Sequence, residues 1–312
     1  MAVYRILSID GGGIRGIIST ILLQRLSAEP TLSGWLEKVD LLAGTSTGGL
    51  LALGIAKPIN LQVIRNLYET KGKIIFDDSW LRDLRDLEGI IGAKYDIANL
   101  EKELQAILGA TTLAQLSKKV LITAFDLDNG VANEGQRTWK PKLFHNFPGP
   151  DSDGDQLAYK VGIYTAAAPT YFPSADGYVD GGVFASNPAM CALTQTQDPR
   201  ISDRPALKDV VLFSLGTGTS LTYITGDSLD WGYAQWAKPL VSLMLDGVAG
   251  IADYQCRQLL GSAYHRLAPV FPPPASIPMD AVDRMPEMIA FAIDLNDTEA
   301  IADLLLKHAV PI

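Results

Sequence analysis

Apolar positions along the chain change their period in a repeated order. Val3 to Ile9 is a nearly unbroken apolar run suited to a buried strand, and after Gly11 to Gly13 the spacing turns helical from Ile14 to Leu26. Val39 to Ala43 is a second short apolar run, followed by the glycines Gly44 to Gly49 and a helix predicted over Thr47 to Ala56. Successive strand, glycine turn and helix units of this kind build a parallel sheet covered by helices.

Further on, Leu61 to Ile91 mixes helical periodicity with charged clusters, which predicts helices or a mobile cap, and Asn99 to Leu108 predicts another helix. Lys119 to Asp126 carries the continuous run VLITAF of a strand, and Trp139 to Asn146 reads as an edge strand. Phe147 to Gln156, rich in Pro, Gly and Asp, is a surface loop by composition. A helix over Lys160 to Ala168 ends at Pro169, Val210 to Leu215 is the last clear strand, and helices follow over Trp236 to Leu260 and Glu299 to His308 with a proline-rich turn at Pro269 to Pro278 between them. No repeat or low-complexity linker forces a cut, so a single α/β domain over residues 1–312 is expected.

Charge narrows the partners. A net charge of -9 opposes binding to a phosphate backbone, so no nucleic acid is expected, and strong capture by an anionic membrane is disfavoured. Cys191 and Cys256 fit no metal or redox spacing and are expected to be reduced. Neither a secretory signal nor a transmembrane run is visible, which makes the cytoplasm the default compartment and leaves peripheral membrane contact and oligomeric state open.

Gly44-Thr45-Ser46-Thr47-Gly48 fits G-x-S-x-G with an apolar strand before it and a helix after it. Flanking glycines permit the sharp turn that lifts a serine hydroxyl above a sheet at a helix N-terminus. A serine hydroxyl needs a base. The three histidines, His145, His265 and His308, lack any local signature of a catalytic residue, so a carboxylate is the simpler choice and Asp180, ahead of Gly181 and Gly182, stands out. Backbone N–H groups of Gly11, Gly12 and Gly13, with Arg15 beside them, are placed to stabilise an oxyanion.

Two rivals stand beside this reading. Gly11, Gly13 and Gly16 also satisfy the dinucleotide pattern G-x-G-x-x-G, although no second strand ends in an acidic residue at the required distance. A Ser-His-Asp esterase using His265 is the other enzyme reading, and a non-catalytic nucleotide or lipid binder is the reading without catalysis.

Taken together, Asp10-Gly11-Gly12-Gly13-Ile14-Arg15-Gly16, Gly44 to Gly49, Ala166 to Pro173 and Asp180-Gly181-Gly182 followed by Asn187-Pro188 resemble the patatin-like phospholipases. The motif-bearing part runs from about residue 5 to 193, with residues 194–312 completing the fold. The resemblance implies a three-layer α/β/α sandwich with a mostly parallel central sheet. It also implies a Ser46/Asp180 dyad, an oxyanion hole at Gly12 and Gly13 with Gly11 and Arg15 in support, and lipid acyl esters as substrates without metal or cofactor.

Overall fold

The computed structural model describes residues 3–75, 93–226, 228–273 and 275–295. Seven strands, β1 (Tyr4–Ile9), β2 (Leu41–Thr45), β3 (Lys119–Asp126), β4 (Lys140–His145), β5 (Tyr178–Asp180), β6 (Val210–Leu215) and β7 (Tyr264–Leu267), make one sheet. Its order is β4-β3-β2-β1-β6-β7, with β5 also paired to β3. The β1–β2, β1–β6, β2–β3 and β6–β7 pairs are parallel, while β4 and β5 run antiparallel to β3.

Helices cover both faces. Leu7, Ile9, Leu42 and Ile122 point into one apolar core, shared with α1 (Gly16–Ala28), α2 (Thr47–Ala56), α3 (Leu61–Ile75), α4 (Ala98–Leu108) and α5 (Ala158–Ala166). Between Asp180 and the next long helix lie the short α6 (Gly182–Ala185) and α7 (Ala189–Thr196). Ile6, Leu41, Ala43, Leu121 and Leu212 point the other way, against α7 and α8 (Tyr233–Leu260). Two covered faces explain why the strands read as unbroken apolar runs rather than as alternating ones. The architecture is the three-layer α/β/α sandwich that the motifs imply.

Several boundaries differ from the pattern-based expectation. β2 runs two residues further than Val39–Ala43, because Gly44 and Thr45 continue the ladder to Ile122 and Thr123, and Ser46 therefore follows the strand directly. The first helix begins at Gly16, after a tight 3-10 turn over Gly13–Arg15. α5 starts at Ala158 and stops at Ala166, short of Pro169. Tyr264–Leu267, assigned to no element between the helix ending at Leu260 and the proline-rich turn, forms the edge strand β7, and Met285–Asp294 forms α9. Four residues are too few for a period to show. The helix expected over Glu299–His308 and the part of Leu61–Ile91 beyond Ile75 lie outside the described residues.

One feature of the sheet positions everything that follows. β4 occupies one edge of β3 along Leu121–Asp126, so the opposite edge is shared by β2 as far as Thr123 and by β5 from Ala124 onward. Thr45, the last residue of β2, pairs with Thr123, and Asp180, the last of β5, pairs with the adjacent Ala124. The two strands arrive from opposite directions and end facing each other.

A buried ion pair ties β1 to the far side of the sheet. The Arg266 guanidinium on β7 holds the Asp10 carboxylate through Nη2 at 2.6 Å and Nη1 at 3.2 Å, and Nη1 also donates to Ser214 Oγ at 2.6 Å. Burial pushes the Asp10 carboxyl upward, and Arg266 opposes that shift. Arg266→Met leaves the acid buried without its cation and should destabilise the fold by about 3–5 kcal/mol at neutral pH, as read by chemical denaturation. Because the variant's Asp10 is then easier to protonate in the folded state, the deficit should shrink as pH falls toward ~4.

Candidate active site

Ser46 sits at the turn between β2 and α2 with φ 54° and ψ -127°, a strained backbone for a residue with a side chain. Close packing enforces that turn. A Cβ on Gly44 would lie 2.2 Å from the Gly48 carbonyl oxygen, and one on Gly48 would lie 2.2 Å from that of Ile9. Hydrogen bonds brace it: the Ser46 N–H donates to Thr165 Oγ1 at 2.8 Å, and Thr45 Oγ1 donates to the Ala185 carbonyl at 2.6 Å while meeting Thr123 Oγ1 at 2.7 Å.

Asp180 is buried opposite. Its carboxylate accepts the Gly182 N–H at 2.7 Å and faces the side of the Ser46 hydroxyl. Burial is the largest influence and pushes the Asp180 carboxyl up to about 6, against the lowering effect of the Ser46 hydroxyl and the Gly182 amide. Gly181 is held against β3, where a Cβ would lie 2.2 Å from Thr123 Oγ1. The structure thus brings together two residues that lie far apart in the chain.

The glycine turn after β1 lies beside them. Gly11 is packed at 3.4 Å from Ser46 Cβ, measured to an added Cβ, and its N–H donates to the Ser186 carbonyl at 2.9 Å. The Arg15 N–H returns to the Gly12 carbonyl at 3.2 Å, so neither Gly11 nor Arg15 offers an uncommitted amide. Among the described residues, the N–H groups of Gly12 and Gly13 have no acceptor. The Arg15 side chain lines the same cavity, with Nε 3.4 Å from the Gly12 carbonyl and Nη1 3.5 Å from that of Ile277, and burial lowers its pKa.

A cavity of about 700 Å³, within the range of small-molecule sites, is lined by Gly11 to Arg15, Ser46 and Asp180. From the polar end at Ser46 and Asp180 it extends between α2, α3 and α4 past Leu50, Gly54, Ile64, Leu67, Leu104 and Leu108. Among the described residues no histidine lines it. His265 lies on β7 paired with Phe213, and His145 lies on the antiparallel β4, while His308 is outside the described residues. For the dinucleotide reading, β2 is the strand next to β1 and ends in Thr45, with Ser46 and no acidic residue after it. Among the described residues, no group of three His, Cys, Asp or Glu side chains could hold a metal ion.

Pattern reasoning missed Thr165, Thr217 and Met279. Thr217 Oγ1 donates to the Gly11 carbonyl at 2.8 Å, and the Met279 carbonyl accepts the Ile14 N–H at 2.8 Å. Thr217 stands between two glycines, a hint of a tight approach, but nothing local marks the other two.

Architecture and site together define an α/β fold with a serine elbow facing a buried carboxylate. The patatin-like phospholipase family profile matches residues 7–193, and the chain belongs to that family. It is 32% identical over 291 residues to the cGAMP-activated phospholipase of Pseudomonas aeruginosa (strain BWHPSA011 / Pa011), covering 90% of this chain and 83% of that protein. Patatin-T5 of Solanum tuberosum is 31% identical over 288 residues, covering 80% of this chain and 70% of its own. Among solved structures, VipD from Legionella pneumophila superposes with a TM-score of 0.47 at 13% identity, covering 98% of this chain and 67% of that one.

Gly44→Ala places a methyl group against main chain that has no room to move. A drop of several degrees in melting temperature is expected, together with loss of soluble protein on expression.

Proposed function

We propose that the protein is a serine acyl hydrolase of lipid esters, with Ser46 as nucleophile and Asp180 as its base. The observation that carries this reading is the meeting of β2 and β5 on one edge of β3, which sets the serine hydroxyl against a buried carboxylate in a largely apolar cavity.

In this mechanism Asp180 accepts the Ser46 proton as Oγ attacks the ester carbonyl. Negative charge on the carbonyl oxygen is taken up by the N–H groups of Gly12 and Gly13 at the start of the following helix. Collapse of the tetrahedral intermediate breaks the bond to the alcohol, which leaves with the proton from Asp180. A water then gives its proton to Asp180, attacks the acyl-serine and releases the fatty acid while Ser46 recovers its proton.

The apolar arm past Leu50, Leu104 and Leu108 suits a hydrocarbon chain better than a polar substrate. Leu221, Tyr223, Leu243 and Met244 are exposed next to the cavity-lining residues Ser220, Thr222, Ser242 and Leu245, an arrangement that supports peripheral contact with a lipid surface. Among the described residues no helix is long and apolar enough to cross a membrane.

Ser46→Ala and Asp180→Asn should each abolish at least about 10³-fold of p-nitrophenyl ester turnover, and the double variant should lose little more. A fluorophosphonate adduct found on a residue other than Ser46 would sink the dyad. His265→Ala should leave turnover within about threefold of the parent, and a loss near 10³-fold would restore the histidine mechanism.

The buried acid sets the pH dependence. Because Asp180 must be ionised to act, kcat/KM should rise with pH through an inflection near 6. A carboxyl whose folded pKa is raised to about 6 contributes stability that is present below its unfolded value and lost as pH rises through 6. Asp180→Asn should therefore melt higher than the parent at pH ~8, by up to about 3 kcal/mol of unfolding free energy, while being inactive. Gly54 borders the apolar arm, where a Cβ would already lie 2.8 Å from Ile64 Cδ1. Gly54→Leu should cut activity on long-chain esters about tenfold more than on butyrate, as compared by kcat/KM across an acyl series.

A further inference from the structure

A turn built from three consecutive glycines has no side chains with which to hold itself, and glycine has the largest backbone freedom of any residue. Donors that are to act as a preformed oxyanion hole must be fixed from outside. Two segments do this. Thr217, just after β6, contacts one side: its Oγ1 donates to the Gly11 carbonyl, and a Cβ on Gly12 would lie 2.1 Å from that oxygen. On the other side runs the strap 276–281, whose Met279 carbonyl accepts the Ile14 N–H and would stand 2.2 Å from a Cβ on Gly13, where φ is +58°.

The strap reaches the turn late in the chain and is anchored at its far end by charge. Asp280 Oδ2 forms an ion pair with Lys94 and accepts the Tyr95 hydroxyl at 2.8 Å. Lys94 and Tyr95 are themselves fastened to the cavity wall: their N–H groups donate to the Thr170 and Tyr171 carbonyls at 3.1 and 2.7 Å, and the Tyr95 ring stacks on Tyr171. Asp280 is covalently next to Met279, so the anchor and the carbonyl that shapes the turn move as one.

We propose that Asp280 is a positioning residue for the oxyanion hole, clamping the 276–281 strap to Lys94 and Tyr95 so that Met279 presses on Gly13 and holds the Ile14 N–H, keeping the turn that presents the Gly12 and Gly13 N–H groups to the cavity. The inference rests on the reading of Ser46 as nucleophile and of the glycine turn as its oxyanion site. Asp280 touches no substrate in this role; it acts through the backbone of Met279.

The test compares the parent protein with Asp280→Ala, Asp280→Glu and the double variant Lys94→Met/Tyr95→Phe. For each, kcat and KM on a p-nitrophenyl ester and the rate of Ser46 phosphonylation by a fluorophosphonate are measured beside the melting temperature. Asp280→Ala should lower kcat about tenfold with KM within twofold, a fraction of the loss caused by deleting an oxyanion donor outright. Phosphonylation should slow in parallel, because its transition state uses the same donors. Asp280→Glu should recover most of both rates, and Lys94→Met/Tyr95→Phe should reproduce the loss, carrying the test if Asp280→Ala does not fold. A parent enzyme that is not labelled on Ser46 would overturn the underlying reading. A parent labelled on Ser46 whose rates are unchanged in the folded anchor variants, or whose losses appear in KM alone, would overturn the positioning role by itself.

Discussion

The shared edge of β3 is the constraint on which the rest of the molecule depends. A parallel strand delivers its C-terminal end to one rim of the sheet, and an antiparallel strand delivers its end in the opposite direction. When both use the same edge of one neighbour, their last residues must meet where the two ladders abut. Thr45, directly before Ser46, and Asp180 are that meeting point. No long-range steering by charge is needed, only main-chain hydrogen bonds to Thr123 and Ala124 and the antiparallel β4 that blocks the other edge.

The same geometry carries a cost. A carboxylate at the end of a strand inside a three-layer fold is removed from water, and a serine held at positive φ is conformationally strained. Neighbouring elements offset both. Gly182 gives Asp180 an amide donor and the nearby Ser46 hydroxyl lowers its pKa, Thr165 takes the Ser46 amide, and the glycines at 44 and 48 let the chain pass within contact of Ile9 and itself. Gly12 and Gly13 serve a different end, allowing Thr217 and Met279 to press against the turn from two sides.

Much of this was legible in the sequence, for reasons that can be named. The central strands show because burial on both faces leaves unbroken apolar runs such as VLITAF, and the elbow shows because Gly44 and Gly48 bracket a serine between such a run and a helix. Asp180 was legible only in company, as an aspartate before glycines is an ordinary turn residue and gains meaning from Gly11–Arg15 and Ser46. What stayed hidden acts through the backbone or over long sequence distances. Thr165 and Met279 are identified by what they touch, and β7 is too short for a period, so Arg266 could not be placed opposite Asp10.

The position of β6 has a consequence for how much chain the site requires. Every recognisable motif lies before residue 194, yet β1, which carries the glycine turn, is flanked on one side by β6 at Val210–Leu215. A fragment holding all the signature residues would expose an open edge of the central strand and lack the neighbours that shape the loop above it. During synthesis, then, the emerging polypeptide would carry Gly11 to Gly13, Ser46 and Asp180 before β6 could flank β1. The glycine turn would take its shape only once the strand that flanks β1 and the segments that press on the turn have joined it.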